Sequence, residues 1–122
     1  MNKTICIIPA RGGSKRFPRK SLFKIYGVPM IKRVYDRVNS AKKINKVVVS
    51  IPNDKKNIRL KEYLKKNSIR FYQGSNENVA LRMYKAAKKF KSNYFVRISG
   101  DSPMIDPLII DNAISIHKKK KI

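Results

Sequence analysis

Four short apolar, β-branched runs, at positions 4–8, 47–51, 69–72 and 94–98, alternate with segments whose apolar residues recur at helical spacing. This alternation predicts strand and helix in turn, with helices over 29–40, 54–67, 78–90 and 107–117. In the first of these, Ile31, Val34, Tyr35 and Val38 share one face. Asp54 and Asn78 are suited to cap the second and third, and Asp106 before Pro107 fits the start of the fourth. Strand–helix–strand units with right-handed crossovers give an α/β fold: a parallel sheet with helices on both faces. The 122 residues are enough for one such domain, so positions 1–122 are read as a single unit.

Ligands of such sheets gather at the C-terminal ends of the strands, where the strand order reverses. The loop after Ile8 and the loop after Ile98 are therefore expected to be neighbours. The first of these leaves its strand through Pro9 and Ala10 into Arg11-Gly12-Gly13-Ser14-Lys15-Arg16-Phe17-Pro18-Arg19-Lys20. Gly12 and Gly13 let the backbone come close to an anion, and Arg11, Lys15, Arg16, Arg19 and Lys20 supply positive charge, as a phosphate site requires. The G-x-x-x-x-G-K-[ST] and G-x-G-x-x-G spacings are both absent, which excludes the Walker loop and the dinucleotide fingerprint.

The second loop opens with Ser99-Gly100-Asp101, and Asp106 follows five residues later. Asp101 stands where a carboxylate can hold Mg²⁺ beside substrate phosphates. The plainer alternative is that Asp101 and Asp106 only cap turns.

Thirty basic residues stand against seven acidic ones, a formal net charge of +23 that would draw any polyanion, RNA and DNA included. Much of the excess lies in lysine doublets, Lys42-Lys43, Lys55-Lys56, Lys65-Lys66 and Lys88-Lys89, on the polar sides of the predicted helices. Aromatic residues do not interleave with them as a stacking platform would require. Joint over-use of Lys, Ile and Asn fits base-composition drift, so no specific nucleic-acid partner is expected. Cys6, the single cysteine, falls in the first apolar run and is expected to be a buried, inert thiol; no intrachain disulfide can form. With no secretion signal and no long apolar segment, the expectation is a cytoplasmic protein without a membrane association.

The opening Ile8-Pro9-Ala10-Arg11-Gly12-Gly13-Ser14-Lys15-Arg16-Phe17-Pro18-Arg19-Lys20 resembles the first motif of the sugar-acid cytidylyltransferases, including the N-acylneuraminate and 3-deoxy-manno-octulosonate enzymes. Tyr72-Gln73-Gly74-Ser75, Asn78-Val79-Ala80-Leu81-Arg82 and the stretch from Arg97 to Pro107 resemble the spore coat polysaccharide biosynthesis protein F branch. The chain departs from that branch at Ser50-Ile51-Pro52 and at Asn78-Val79-Ala80. The resemblance implies a Rossmann-like nucleotide-diphospho-sugar transferase fold that binds CTP and makes a CMP-sugar, with release of pyrophosphate, for surface polysaccharide.

By that resemblance Pro9, Ala10 and Arg11 border the cytosine and ribose, and Gly12, Gly13, Ser14, Lys15 and Arg16 wrap the phosphates. Lys20 reaches the β or γ phosphate; with Lys15 and Arg16 it forms the expected catalytic set, and Asp101 holds Mg²⁺. Arg82 and Arg97 match nucleotide-side positions of the branch, the plainer reading of each being an internal ion pair. The implied reaction is in-line attack of a sugar-acid hydroxyl on the α-phosphorus, carried by positioning and charge. No side chain stands out as general base, and His117, the only histidine, falls in a terminal basic helix where a solvated role is expected.

Family members continue beyond the Lys118–Lys121 run, so the sequence also reads as the N-terminal portion of the family domain, a homodimer if full-length. The rival expectations are an inactive nucleotide-binding half-domain that needs a partner chain, and a binder of arbitrary polyanions.

Overall fold

The computed structural model describes residues 4–10, 22, 24–53, 55–74, 78–92, 94–98 and 106–120. β1 (Thr4–Pro9), β4 (Lys46–Pro52), β5 (Phe71–Gly74) and β6 (Tyr94–Arg97) form one parallel sheet in the order β5-β4-β1-β6. Between β1 and β4 lie the short strands β2 (Lys24–Ile25) and β3 (Val28–Pro29) and helix α1 (Met30–Asn39). A 3₁₀ turn (Lys55–Asn57) leads into α2 (Ile58–Lys66), α3 (Val79–Lys89) joins β5 to β6, and α4 (Pro107–Lys120) follows β6.

Alternation along the strands divides the core between the two faces. Cys6, Ile8, Val47, Val49 and Ile51 turn to one face, where Ile31, Val34 and Val38 of α1, Leu60 and Leu64 of α2 and Ile110 and Ile114 of α4 cover them. Ile5 and Ile7 turn to the other, against Met83, Ala86 and Ala87 of α3. The expected helices on both faces are present, three on one side and one on the other among the described residues. Each fully buried Ile, Leu or Val contributes about 1.5–3 kcal/mol relative to an exposed one, so this spacing fixes which stripe of each helix faces the sheet.

Local chemistry sets the helix ends. Asn78 caps α3 as expected, its side-chain oxygen accepting the Leu81 N–H at 2.9 Å. Asp106 accepts the Leu108 N–H at 2.9 Å at the start of α4. α2 and α3 both close in Schellman turns: Ile69 N–H donates to Leu64 C=O (2.9 Å) and Ser92 N–H to Ala87 C=O (3.0 Å). The left-handed residues of these turns are Ser68 (φ 55°) and Lys91 (φ 56°).

Several boundaries differ from expectation. The α2 helix begins at Ile58 rather than at residue 54, because the 3₁₀ turn occupies Lys55–Asn57; Asp54 lies outside the described residues. β5 starts at Phe71 because Ile69 is consumed in closing α2, and it runs on to Gly74. α4 continues past residue 117 to Lys120. The β2–β3 hairpin was not foreseen; its two-residue turn has positive φ at Tyr26 (50°) and Gly27 (80°), as a type I′ turn requires. Lys42 and Lys43 lie in the turn after α1 and Lys55 in the 3₁₀ turn, not on α-helices, but all three are exposed, as are Lys65, Lys66, Lys88 and Lys89. No helix among the described residues is long and apolar enough to cross a membrane.

Candidate nucleotide site

At the C-terminal edge of the sheet the exits of β1 and β6 are neighbours. Ile98 N–H donates to Ile7 C=O at 3.1 Å, continuing the β1–β6 ladder one residue past Arg97. On the other side of β1, Ala10 N–H donates to Ser50 C=O at 2.9 Å, one residue past Pro9. Pro9 and Ala10 therefore stand between β4 and β6 at the point of strand reversal, the place expected for a ligand crevice. The basic loop, with Arg11, Gly12, Gly13, Ser14, Lys15, Arg16 and Lys20, lies outside the described residues, and so does Asp101.

Arg82 belongs to the same edge. It sits in the first turn of α3, where Asn78 C=O accepts its backbone N–H at 3.1 Å, and only 3 % of the residue is exposed. Its Nε donates to the Ser50 hydroxyl at 2.8 Å. Ser50, itself fully buried, thus bonds Arg82 through its side chain and Ala10 through its carbonyl. A cation in a helix's first turn opposes the helix dipole, and burial adds a desolvation cost that the hydrogen bond to Ser50 helps offset.

The side chain also has a shaped passage. A Cβ built on Gly74 would lie 3.0 Å from Arg82 Cγ and 2.7 Å from Tyr72 Cε2, so Arg82 passes over the end of β5 where a side chain is missing. Arg97 is the last residue of β6 and is exposed. Because Phe95 joins the α3-side cluster while Val96 and Ile98 join the other, Arg97 turns to the α3 side as well. The structure thus joins Pro9, Ala10 and Arg82 through Ser50, and sets Arg97 on the same sheet face across β1.

Ser50 and Gly74 were not singled out as site residues from the sequence. The signal for the first was a lone hydroxyl in the otherwise apolar run Val47-Val48-Val49-Ser50-Ile51. Cys6 is the inert thiol expected: it is fully buried, and burial pushes its pKa up to about 12. Among the described residues no group of three or more His, Cys, Asp or Glu side chains could hold a metal ion.

Positive charge is not confined to this edge. At the opposite, N-terminal edge Lys46, Arg70 and Lys89 approach the Phe90 ring at 5.7–6.0 Å from its centroid. Lys89 also lies 5.7 Å from Tyr72 and Lys88 5.9 Å from Tyr84, so cations and rings that do not interleave in the sequence do meet in space.

The chain's similarities agree with this geometry. It is 34 % identical over 113 residues to the 3-deoxy-manno-octulosonate cytidylyltransferase of Geotalea daltonii, covering 93 % of this chain and 44 % of that protein. It is likewise 34 % identical over 124 residues to the 8-amino-3,8-dideoxy-manno-octulosonate cytidylyltransferase of Shewanella piezotolerans, covering 98 % of this chain and 49 % of that one. Among solved structures it superposes on CMP:2-keto-3-deoxy-manno-octonic acid synthetase complexed with CTP, with a TM-score of 0.86 and 26 % identity over 97 % of this chain and 48 % of that one. The chain thus spans about half the length of the curated relatives it matches. Residues 5–122 match the cytidylyltransferase family, and the chain, a Rossmann-like nucleotidyltransferase fold, belongs to that family.

Proposed function

We propose that this chain forms the CTP-binding part of a nucleotidyltransferase that activates a sugar acid of the octulosonate type as its CMP derivative and releases pyrophosphate. The observation that carries the reading is the hydrogen-bonded adjacency of β1 and β6, whose exits lead into the basic loop and into the segment bearing Asp101. Chain length supports it: Asp101 is three residues past Ile98, a span of at most about 11 Å.

In this reading Pro9, Ala10 and Arg11 border the nucleoside, and Gly12, Gly13 and Ser14 offer backbone N–H groups to the phosphates. Lys15, Arg16 and Lys20 neutralise the charge that develops on the departing pyrophosphate as the sugar-acid hydroxyl attacks the α-phosphorus. Arg82 and Arg97 add positive charge from the α3 side of the crevice. Asp101 supplies a hard oxygen ligand suited to Mg²⁺, which would screen the triphosphate when bound. The likeness of the Tyr72–Ser75 and Arg97–Pro107 segments to the spore coat branch supports surface polysaccharide as the product's destination and a cytoplasmic site of synthesis. The full-length protein would act as a homodimer.

The test is pyrophosphate release from CTP and Mg²⁺ with a panel of 3-deoxy-octulosonate and nonulosonate acids, alongside calorimetric titration of the chain with CTP. Saturable CTP binding that Lys20→Ala or Asp101→Ala abolishes is the expected result. No CTP binding at millimolar concentration would overturn the reading.

A further inference from the structure

We propose that Ser50 is a positioning residue for the nucleotide: its hydroxyl holds the Arg82 guanidinium in a fixed relation to Ala10, and Gly74 provides the space that arrangement needs. The inference rests on the CTP reading above and extends it to two residues outside the expected nucleotide-binding set.

Three observations carry it. The Ser50 hydroxyl accepts from Arg82 Nε at 2.8 Å while its carbonyl accepts from Ala10 N–H at 2.9 Å, so one fully buried residue is bonded to both. The Arg82 side chain passes Gly74 on β5 at its Cγ and reaches Ser50 on β4 at its Nε, and therefore runs across the sheet face toward β1 and the crevice. Finally, Nε is the guanidinium nitrogen nearest the backbone, and a bond there fixes the plane of the fork with which arginine can grip phosphate or carboxylate. The carbonyl bond to Ala10 extends the β1–β4 ladder, so what serine adds is the hydroxyl, which ties the Arg82 guanidinium to the strand position that holds Ala10.

The experiment measures CTP affinity by calorimetry for wild type, Ser50→Ala, Ser50→Thr, Gly74→Ala, Arg82→Ala and the Ser50→Ala/Arg82→Ala double variant, each with a thermal melt. Arg82 modification by phenylglyoxal, read by peptide mass spectrometry without nucleotide, runs in parallel. Loss of the hydroxyl is expected to weaken CTP roughly tenfold, the size of one hydrogen bond to a charged group. Threonine, which keeps the oxygen, recovers most of the affinity, and the double variant binds no worse than Arg82→Ala alone. Arg82 becomes several-fold more reactive in Ser50→Ala and in Gly74→Ala.

Wild-type affinity in Ser50→Ala, effects that multiply in the double variant, or unchanged Arg82 labelling would each overturn the proposal. Should Ser50→Ala not fold, Gly74→Ala against wild type decides by the same two readouts. If wild type fails to bind CTP, the functional reading falls, and labelling still decides whether Ser50 restrains Arg82.

Discussion

Asp111 binds Lys43 across 68 positions of the chain: its Oδ1 accepts the Lys43 N–H at 2.7 Å, and Oδ2 takes the neighbouring Lys42 N–H at 3.0 Å. One carboxylate on α4 thus fastens that helix to the turn after α1, beside the Ile110 and Ile114 contacts that bury its inner stripe. Because the site is exposed, Asp111→Ala is expected to cost about 1–2 kcal/mol, the low end for two charge-assisted bonds. For a chain of this size that lowers the melting temperature by about 4–8 °C. Calorimetry checks it, and an unchanged melt would show that apolar contact alone holds α4.

The two Schellman turns place Ser68 and Lys91 in the left-handed region at φ 55° and 56°. Glycine relieves the Cβ clash there but gains chain entropy on unfolding, so Ser68→Gly and Lys91→Gly should each stabilise by about 0.5–1 kcal/mol. The two turns share no hydrogen-bond partner, and the gains should add. Chemical denaturation of the singles and the double measures this. Gly27→Ala, at φ 80°, should do the opposite.

Cys6 predicts a specific alkaline sensitivity. Its thiol is raised from 9.0 to about 12 by burial, so the native chain keeps a proton that the unfolded chain has lost above 9.0. This contribution is fully present below pH 9 and is lost as pH climbs toward 12, at a slope of about 1.4 kcal/mol per pH unit. Cys6→Ala removes it. The stability difference between wild type and variant should therefore shrink from pH 9 upward, which urea titrations at half-unit intervals would reveal. In the native state at pH 8 the thiol should react with disulfide reagents only as fast as the chain opens.

Charge and site should separate under salt. Binding of an arbitrary RNA is expected to fall steeply between 50 and 200 mM salt and to survive Lys20→Ala and Asp101→Ala, since it draws on the summed field. CTP binding should change far less with salt and vanish in those variants. A filter-binding series beside the calorimetry distinguishes the two; equal salt slopes would mean that CTP is held by the general field alone.

What could be read from the sequence followed the reach of each signal. Alternation of strand and helix and the paired faces came from periodicity, which sums over many residues and survives local surprises, and the adjacency of the β1 and β6 exits from the topology rule for such sheets. Single-residue decisions fared unevenly. Asn78 caps as its chemistry implies, whereas Ile69 reads as strand in any window and is drawn instead into the turn that ends α2. The Tyr26-Gly27 hairpin escaped because its two-residue strands are too short to carry a pattern. At the site, Arg82 was visible through family likeness, but its hydrogen bond to Ser50 spans 32 positions and no spacing rule reaches that far. The structure pairs Nε of Arg82 with the Ser50 hydroxyl.

The sheet's order has one remaining implication. Among the described residues β5 and β6 are its margins, each four residues long, and the layer can be widened by backbone pairing along either of them. A strand laid against β6, whether from a longer polypeptide or another molecule, would convert the β1–β6 crevice from a feature near the rim into one enclosed on both flanks.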